Sequence, residues 1–351
     1  DDSSDSTASI ALSYGAQVVS AAPRPDGWEG KPWACHQGSR AATGDAYIFL
    51  DADVILEKNA LSRILRTLQP GRIVSVQPFH DAPTMIEQLS ALFNLQAVAS
   101  IGLGASGPRR PRRDAPASEE NTGESLTGFR MIKFRRLVRR VSHQIRNVLT
   151  RTPSGGLFGP IIAVHARDYE AFDGHKQVAD SILEDVHLGW AARSAGISTQ
   201  TWIGTGLARF RMYPDGFRPL LDGWTKNFIA GARTTSAINL VLQVLFISGA
   251  ATISVQTAFT LFGAGLLSPL ATLIAFAAYA ALLAVVFPAY GTFGTVTAVL
   301  FPLHLLFYFA VSLRALAFHF ARQQVVWRGR AIQSEHKRPA KSRRRISPHR
   351  A

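Results

Sequence analysis

Ala46-Tyr47-Ile48-Phe49-Leu50-Asp51-Ala52-Asp53 sets a short apolar run directly against an Asp-x-Asp triplet. The run reads as a buried strand. It would deliver two carboxylates, one residue apart, to its C-terminal end, a compact oxygen-ligand site for a hard divalent cation suited to a diphosphate. Ligands of α/β sheets bind at the carboxyl ends of strands, so the place suits the chemistry. Acidic triplets are also common in ordinary solvated turns, and the weight of the reading therefore falls on the neighbouring sequence.

Outward from this strand the pattern is that of an α/β domain. The chain opens with Asp1-Asp2-Ser3-Ser4-Asp5-Ser6-Thr7, where Ser6 or Thr7 can cap a helix through Tyr14. No strand precedes that acidic turn, and the expectation is a domain truncated at its N-terminus. Val18 and Val19 read as a short strand, and Gly27 to Gly38 as a loop leading into a helix. Residues 57–69 have the period of an amphipathic helix, Arg72 to Pro78 is β-like, and 84–101 is again helical. The order βαβα implies a parallel sheet.

The 351 residues change character at about Ala237. The first part is long enough for one α/β domain, while the second contains stretches of the roughly 20 apolar residues that cross a bilayer. Candidate spans lie at 238–262, 269–289 and 293–313, with no acidic residue inside them. The division is a domain at 1–237 with a basic insertion at about 104–150, transmembrane helices at 238–321, and a basic tail at 322–351. No cleaved signal peptide is expected. The protein is expected in the cell membrane, multi-pass, with its catalytic domain in the cytosol.

Cys35 is the only cysteine, and no Cys/His spacing of zinc type occurs. The net charge of +14 is concentrated in Pro108 to Arg151 and Arg328 to Arg350. Basic charge beside apolar spans points to a lipid bilayer with anionic head groups, and no nucleic-acid partner is expected. Residues 104–125 lack periodicity and have the composition of a disordered insertion. From Leu126 to Leu149, Phe129, Ile132, Leu137, Val141 and Ile145 recur among arginines at helical spacing, which fits a helix on an anionic membrane surface or one packed on its own domain. Three spans would put the basic tail opposite the domain, against the positive-inside rule. Either the stretch 236–267 is a hairpin interrupted near Gly249, or one segment is re-entrant.

Four further segments stand in order around the Asp-x-Asp strand. Asp1 and Asp2 fall where a carboxylate can accept from a nucleobase or ribose. Gly27-Trp28-Glu29-Gly30-Lys31-Pro32-Trp33-Ala34 combines glycines for close backbone approach with a lysine for phosphate charge. Ile182-Leu183-Glu184-Asp185-Val186-His187-Leu188-Gly189 puts an acidic pair at a helix start, either to compensate the helix dipole or to supply a general base. Arg211-Met212-Tyr213-Pro214 and Gly223-Trp224-Thr225-Lys226-Asn227 precede the first span, where aromatic and basic residues also serve as interfacial anchors.

Taken together, GWEGKPWACHQG, FLDADV, GPIIAVHARDYEAFDGH, SILEDVHLGW and RMYPDGFRPLLDGWTKNFIAGA resemble the family-2 glycosyltransferases of the GT-A fold, nearest to a membrane-bound branch of carotenoid biosynthesis. These are inverting enzymes that use nucleotide-diphospho-sugars. The resemblance covers residues 1–237 and extends to Trp327-Arg328-Gly329-Arg330. It implies Asp2 at the nucleobase, Lys31 near the diphosphate, Asp51 at the ribose or diphosphate, Asp53 on a Mg2+ or Mn2+ ion, and Asp185 as base. Glu184, Arg211, Trp224 and Lys226 would lie on the acceptor or diphosphate side. UDP-glucose is the favoured donor and a lipid the acceptor. The Gln-x-x-Arg-Trp motif of processive relatives does not occur, which favours transfer of a single sugar.

Two rivals remain on the sequence. A phosphatase of the haloacid dehalogenase type also places Asp-x-Asp after a strand, but that motif wants Thr where Ile55 stands. A non-enzymatic membrane protein would leave the acidic pairs unused, and the spans carry no row of acids or bases for a transport path.

Overall fold

The computed structural model describes residues 5–101, 156–181, 183–232, 235, 237–320, 325–327 and 330–332. Asp2, the insertion with its basic stretch, and the tail beyond Ile332 lie outside the described residues. Helix α1 is Thr7–Ser13, with Ser6 at its N-cap; the Thr7 N–H donates to Asp5 Oδ1 at 3.0 Å. The strand expected at Val18 and Val19 does not form, and both side chains stay about 40% exposed. Pro23 and Pro25 follow closely and cannot donate to a ladder. The chain then enters α2 (Gly30–Ala41) and β1 (Ala46–Leu50).

From there β2 is Val54–Leu56, α3 Ala60–Leu65, β3 Arg72–Gln77 and β4 Phe79–His80. The helical pattern at 84–101 is divided into α4 (Met85–Gln88) and α5 (Ala91–Ile101), and Thr84 and Glu87 form a capping box at the start of α4. After the insertion come β5 (Ile161–His165), α6 (Ala166–Ala171) and α7 (Glu184–Ser194). Then follow β6 (Ser198–Ile203), β7 (Ala208–Phe210) and α8 (Phe217–Ala232).

The main sheet has the order β1-β5-β3-β6, and it is mixed. β3 and β6 pair parallel, whereas β5 lies antiparallel between β1 and β3, with Phe49 opposite Ile162 and Val76 opposite Ile161. This corrects the all-parallel expectation. Ile161 to Val164 are buried on both faces, so the strand reads as a continuous apolar run whichever way it points. Val74, Val76, Ile161, Ala163 and Trp202 pack with Ala60 and Ile64 of α3, and Ile73, Ile162 and Val164 pack with Leu188 and Ala192 of α7. Because β1 is parallel to β3 and β5 is not, the C-terminal end of β1 and the N-terminal end of β5 meet at one edge. There the Asp51 N–H donates to the Pro160 carbonyl at 3.0 Å.

Three described helices are long and apolar enough to cross a membrane: Ala237–Leu261, Pro269–Ala289 and Phe301–Phe318. We label the helices α9 (Ala237–Leu261), α10 (Pro269–Val286), the short α11 (Thr295–Val299) and α12 (Phe301–Phe320). α9 runs unbroken through Gly249, so no hairpin interrupts it. The third apolar helix begins at Phe301 and not near 293: residues 290 and 292 are held in backbone hydrogen bonds with His80, and Thr295–Val299 forms the separate short helix α11. A two-stranded ribbon, β8 (Val325–Trp327) and β9 (Arg330–Ile332), closes the described chain.

Candidate active site

Lys31 stands in the first turn of α2, where a cation opposes the helix dipole. Its position is explained by two carboxylates: Nζ lies 2.7 Å from Asp51 Oδ1 and 2.9 Å from Glu184 Oε1. One ammonium thus joins the end of β1 to the start of α7. The Glu29 N–H donates to the Ala179 carbonyl at 2.6 Å, which fixes the entry of α2 beside the loop before α7. Burial works against the charge on Lys31, but Glu184 and Asp51 outweigh it and raise its pKa. One turn on, burial pushes the Cys35 thiol up to about 12, which leaves it an inert neighbour.

Asp185 is held differently from Glu184. Its Oδ2 accepts from the Gly159 N–H at 2.9 Å and its Oδ1 from the Val186 N–H at 2.8 Å. Burial and the adjacent Glu184 carboxylate raise its pKa from 3.8 to about 7, against the pull of Lys31 and of the two amides. Gly159 makes the arrangement fit, since a Cβ there would lie 2.9 Å from Asp185 Oδ2 and 3.2 Å from Lys31 Nζ. The preceding residue is pinned to β3 by a reciprocal pair of bonds, Ser75 Oγ to the Phe158 carbonyl and the Phe158 N–H to Ser75 Oγ. The loop before β5 is therefore a rigid wall of the cluster.

Asp53 is exposed and belongs to a different part of the cleft. β2 pairs antiparallel with β7, Val54 opposite Phe210, which carries Asp53 toward the segment beginning at Arg211. Consistent with this, burial and the charge of Asp53 both raise the Tyr213 hydroxyl pKa. Arg211 is bound at 2.7 Å to Glu87, whose side chain is almost wholly buried; burial works against the Glu87 charge, yet Arg211 and Thr84 hold its pKa below the usual value. Asp81, Ala82, Pro83, Gln88, Arg211 and Thr292 line an open pocket of mixed polarity beside this pair.

The structure thus gathers Lys31, Asp51, Glu184 and Asp185 at one strand edge and sets Asp53 and Arg211 across a neighbouring ladder. Trp224 is elsewhere: it is buried, stacked at 4.9 Å on Phe93, and its Nε1 donates to Ser90 Oγ at 3.0 Å. Lys226 is half-buried on the same helix. Neither Gly159 nor Glu87 was assigned a role from the sequence. Gly159 entered only as the first residue of the GPIIAVHARDYEAFDGH string, and Glu87 meets Arg211 across 124 residues.

As a fit for a divalent ion, the described residues contain no group of three or more His, Cys, Asp or Glu that could hold a metal. Asp51 is engaged by Lys31. Asp53, exposed beyond the end of β1, keeps the oxygen chemistry of a ligand that a hard cation could share with phosphate oxygens and water.

Residues 1–92 match glycosyl transferase family 2. That segment holds Lys31, Asp51, Asp53 and Glu87. The chain is also 31% identical over 268 residues to 4,4'-diaponeurosporenoate glycosyltransferase of Staphylococcus haemolyticus (strain JCSC1435), covering 75% of this chain and 60% of that protein. The proteins of the same name from Staphylococcus aureus strains USA300 and Newman are each 30% identical over 254 residues, 71% of this chain and 57% of theirs. The chain therefore spans less than two thirds of the length of these curated relatives. Its architecture, a mixed α/β domain followed by long apolar helices, agrees with the family-2 resemblance of its motifs.

Proposed function

We propose that the chain is the catalytic part of an inverting glycosyltransferase that moves a single sugar from a nucleotide-diphospho-sugar, UDP-glucose in the first instance, to a lipid or isoprenoid acceptor of carotenoid type. The observation that carries this reading is the cluster at the β1 edge, where Lys31 bridges Asp51 and Glu184 while Asp185 beside them is raised to about 7. The match of residues 1–92 favours it over phosphatase chemistry, and the name of the relatives favours the acceptor class.

In this reading Lys31 places a positive charge beside the donor diphosphate, with Asp51 and Glu184 fixing its position. Asp53 would hold a Mg2+ or Mn2+ ion, which when bound would neutralise charge on the leaving diphosphate, with Asp51 at the ribose or diphosphate. Asp185 takes the proton of an acceptor hydroxyl on the opposite face of the sugar, and inversion follows from single displacement. Its two amide contacts hold the carboxylate still, and its pKa near 7 gives it affinity for a proton at working pH. With a carboxylate acceptor this proton transfer is unnecessary. The remaining gain comes from holding donor and acceptor in line. The apolar helices and the basic tail support a multi-pass location in the cell membrane with the α/β domain in the cytosol.

The test is incubation of membranes containing the protein with labelled UDP-glucose, followed by lipid extraction. Label in an extracted lipid, lost on chelation of divalent ions, is the expected result. Release of UDP with label only in water would refute transfer to lipid.

A further inference from the structure

Length and hydropathy alone would have α9, α10 and α12 each cross the bilayer. The contacts of α12 are those of a helix that does not cross. Residues 290–292, which leave α10, are sewn to the α/β domain: the His80 N–H donates to the Tyr290 carbonyl at 2.8 Å and the Thr292 N–H to the His80 carbonyl at 2.9 Å. The Ala82 N–H donates to Thr292 Oγ1 at 2.8 Å. This end of α10 is on the side of the domain.

The chain then turns back. α11 packs along α10, and Phe301 at the start of α12 sets its ring 5.0 Å from those of Phe276 and Tyr279, halfway along α10. Phe301 is itself clustered with Ala82, Ala91 and Leu92 of the domain, and Thr297 of α11 donates to Gln88 of α4; farther along α12, Arg314 Nη2 lies 2.6 Å from Asp222 Oδ1 on α8 and Nη1 3.3 Å from Thr225 Oγ1. Beyond it, β8 lies against α8. Between Thr292 and Arg314 the chain therefore starts and finishes on the same domain. A segment fastened to one domain at both ends has crossed no bilayer between them.

We propose that only α9 and α10 cross the membrane and that residues 291–320 form a helical pair that stays on the membrane face carrying the α/β domain. Leu306, Leu313 and Phe320, seven residues apart along α12, are 67%, 66% and 79% exposed and offer a stripe to lipid. With an even number of crossings, Arg314 and the basic residues after α12 share a side with the domain, as the positive-inside rule demands.

The experiment is independent of enzymatic activity. In a Cys35→Ser background, single cysteines at Lys58 (domain), Ala264 (the α9–α10 loop) and Ala331 (β9) are treated with a membrane-impermeant maleimide in sealed vesicles of each orientation. Lys58→Cys and Ala331→Cys are expected to label together in one orientation and Ala264→Cys in the other. Labelling of Ala331→Cys together with Ala264→Cys means three crossings and overturns the proposal. As a second measurement in the unmodified chain, an epitope after Ala351 should be removed by protease in the orientation that digests the domain. Its protection there would overturn the proposal equally.

Discussion

Asp185 and Asp53 are both carboxylates, yet their surroundings differ: two backbone amides hold Asp185, whereas Asp53 is exposed. Asp185 is raised to about 7, so transfer to a hydroxyl acceptor should increase through that pH and level off above it. The same shift has a stability consequence of definite sign. Between 3.8 and about 7 the folded chain holds a proton that the unfolded chain has lost, so the contribution of Asp185 to stability declines as pH rises across that window. Asp185→Asn should flatten this decline, preserve donor affinity and slow transfer by roughly a hundredfold. A wild-type rate with a verified hydroxyl acceptor would return Asp185 to a helix-end role. Exposed Asp53 supports no core, and Asp53→Ala should abolish transfer and its metal dependence with normal membrane expression; retained turnover on titration with Mn2+ would remove it from the metal site. For Gly159→Ala the added methyl meets Asp185 Oδ2 at 2.9 Å. Overpacking of this kind costs about 1–3 kcal/mol, read as a lowered Tm, and transfer should fall at least tenfold because both Asp185 and Lys31 must move. Unchanged kcat would show that the wall is not needed.

At the scale of elements, α8 separates packing from chemistry. Trp224 stacks on Phe93 between α5 and α8, close to Tyr213, Leu220, Phe307 and Val311. Trp224→Ala should open a cavity worth about 3–5 kcal/mol in thermal unfolding. Trp224→Phe keeps the stack and gives up the bond to Ser90, about 1 kcal/mol, and should transfer sugar at the normal rate. A Phe variant that is stable but inactive would instead make the indole a substrate contact. The start of α7 was legible as an acidic pair, because end charges are written in adjacent residues, whereas α2 begins at Gly30, inside the stretch Gly27 to Gly38 that reads as a loop. The direction of β5 was not legible, since burial on both faces removes the alternation that would reveal it.

For the whole molecule, the mixed α/β domain and the apolar helices pack against each other through α5, whose Ala91 and Leu92 join Ile247, Leu283 and Phe301 in one cluster. Composition alone marked the change near Ala237, and a run of five residues leading into Asp51-Ala52-Asp53 marked the strand edge where the candidate site lies. These features are local: a strand, a helix cap or an apolar helix follows from a few neighbouring side chains and the solvent they prefer. The meeting of Lys31 with Glu184, of Arg211 with Glu87 and of Arg314 with Asp222 depends on distant parts of the chain folding onto one another. The course of α12 belongs with them. Hydropathy records which residues prefer lipid, but the bonds of Thr292 and Arg314 to one domain decide which side of the membrane the helix stays on.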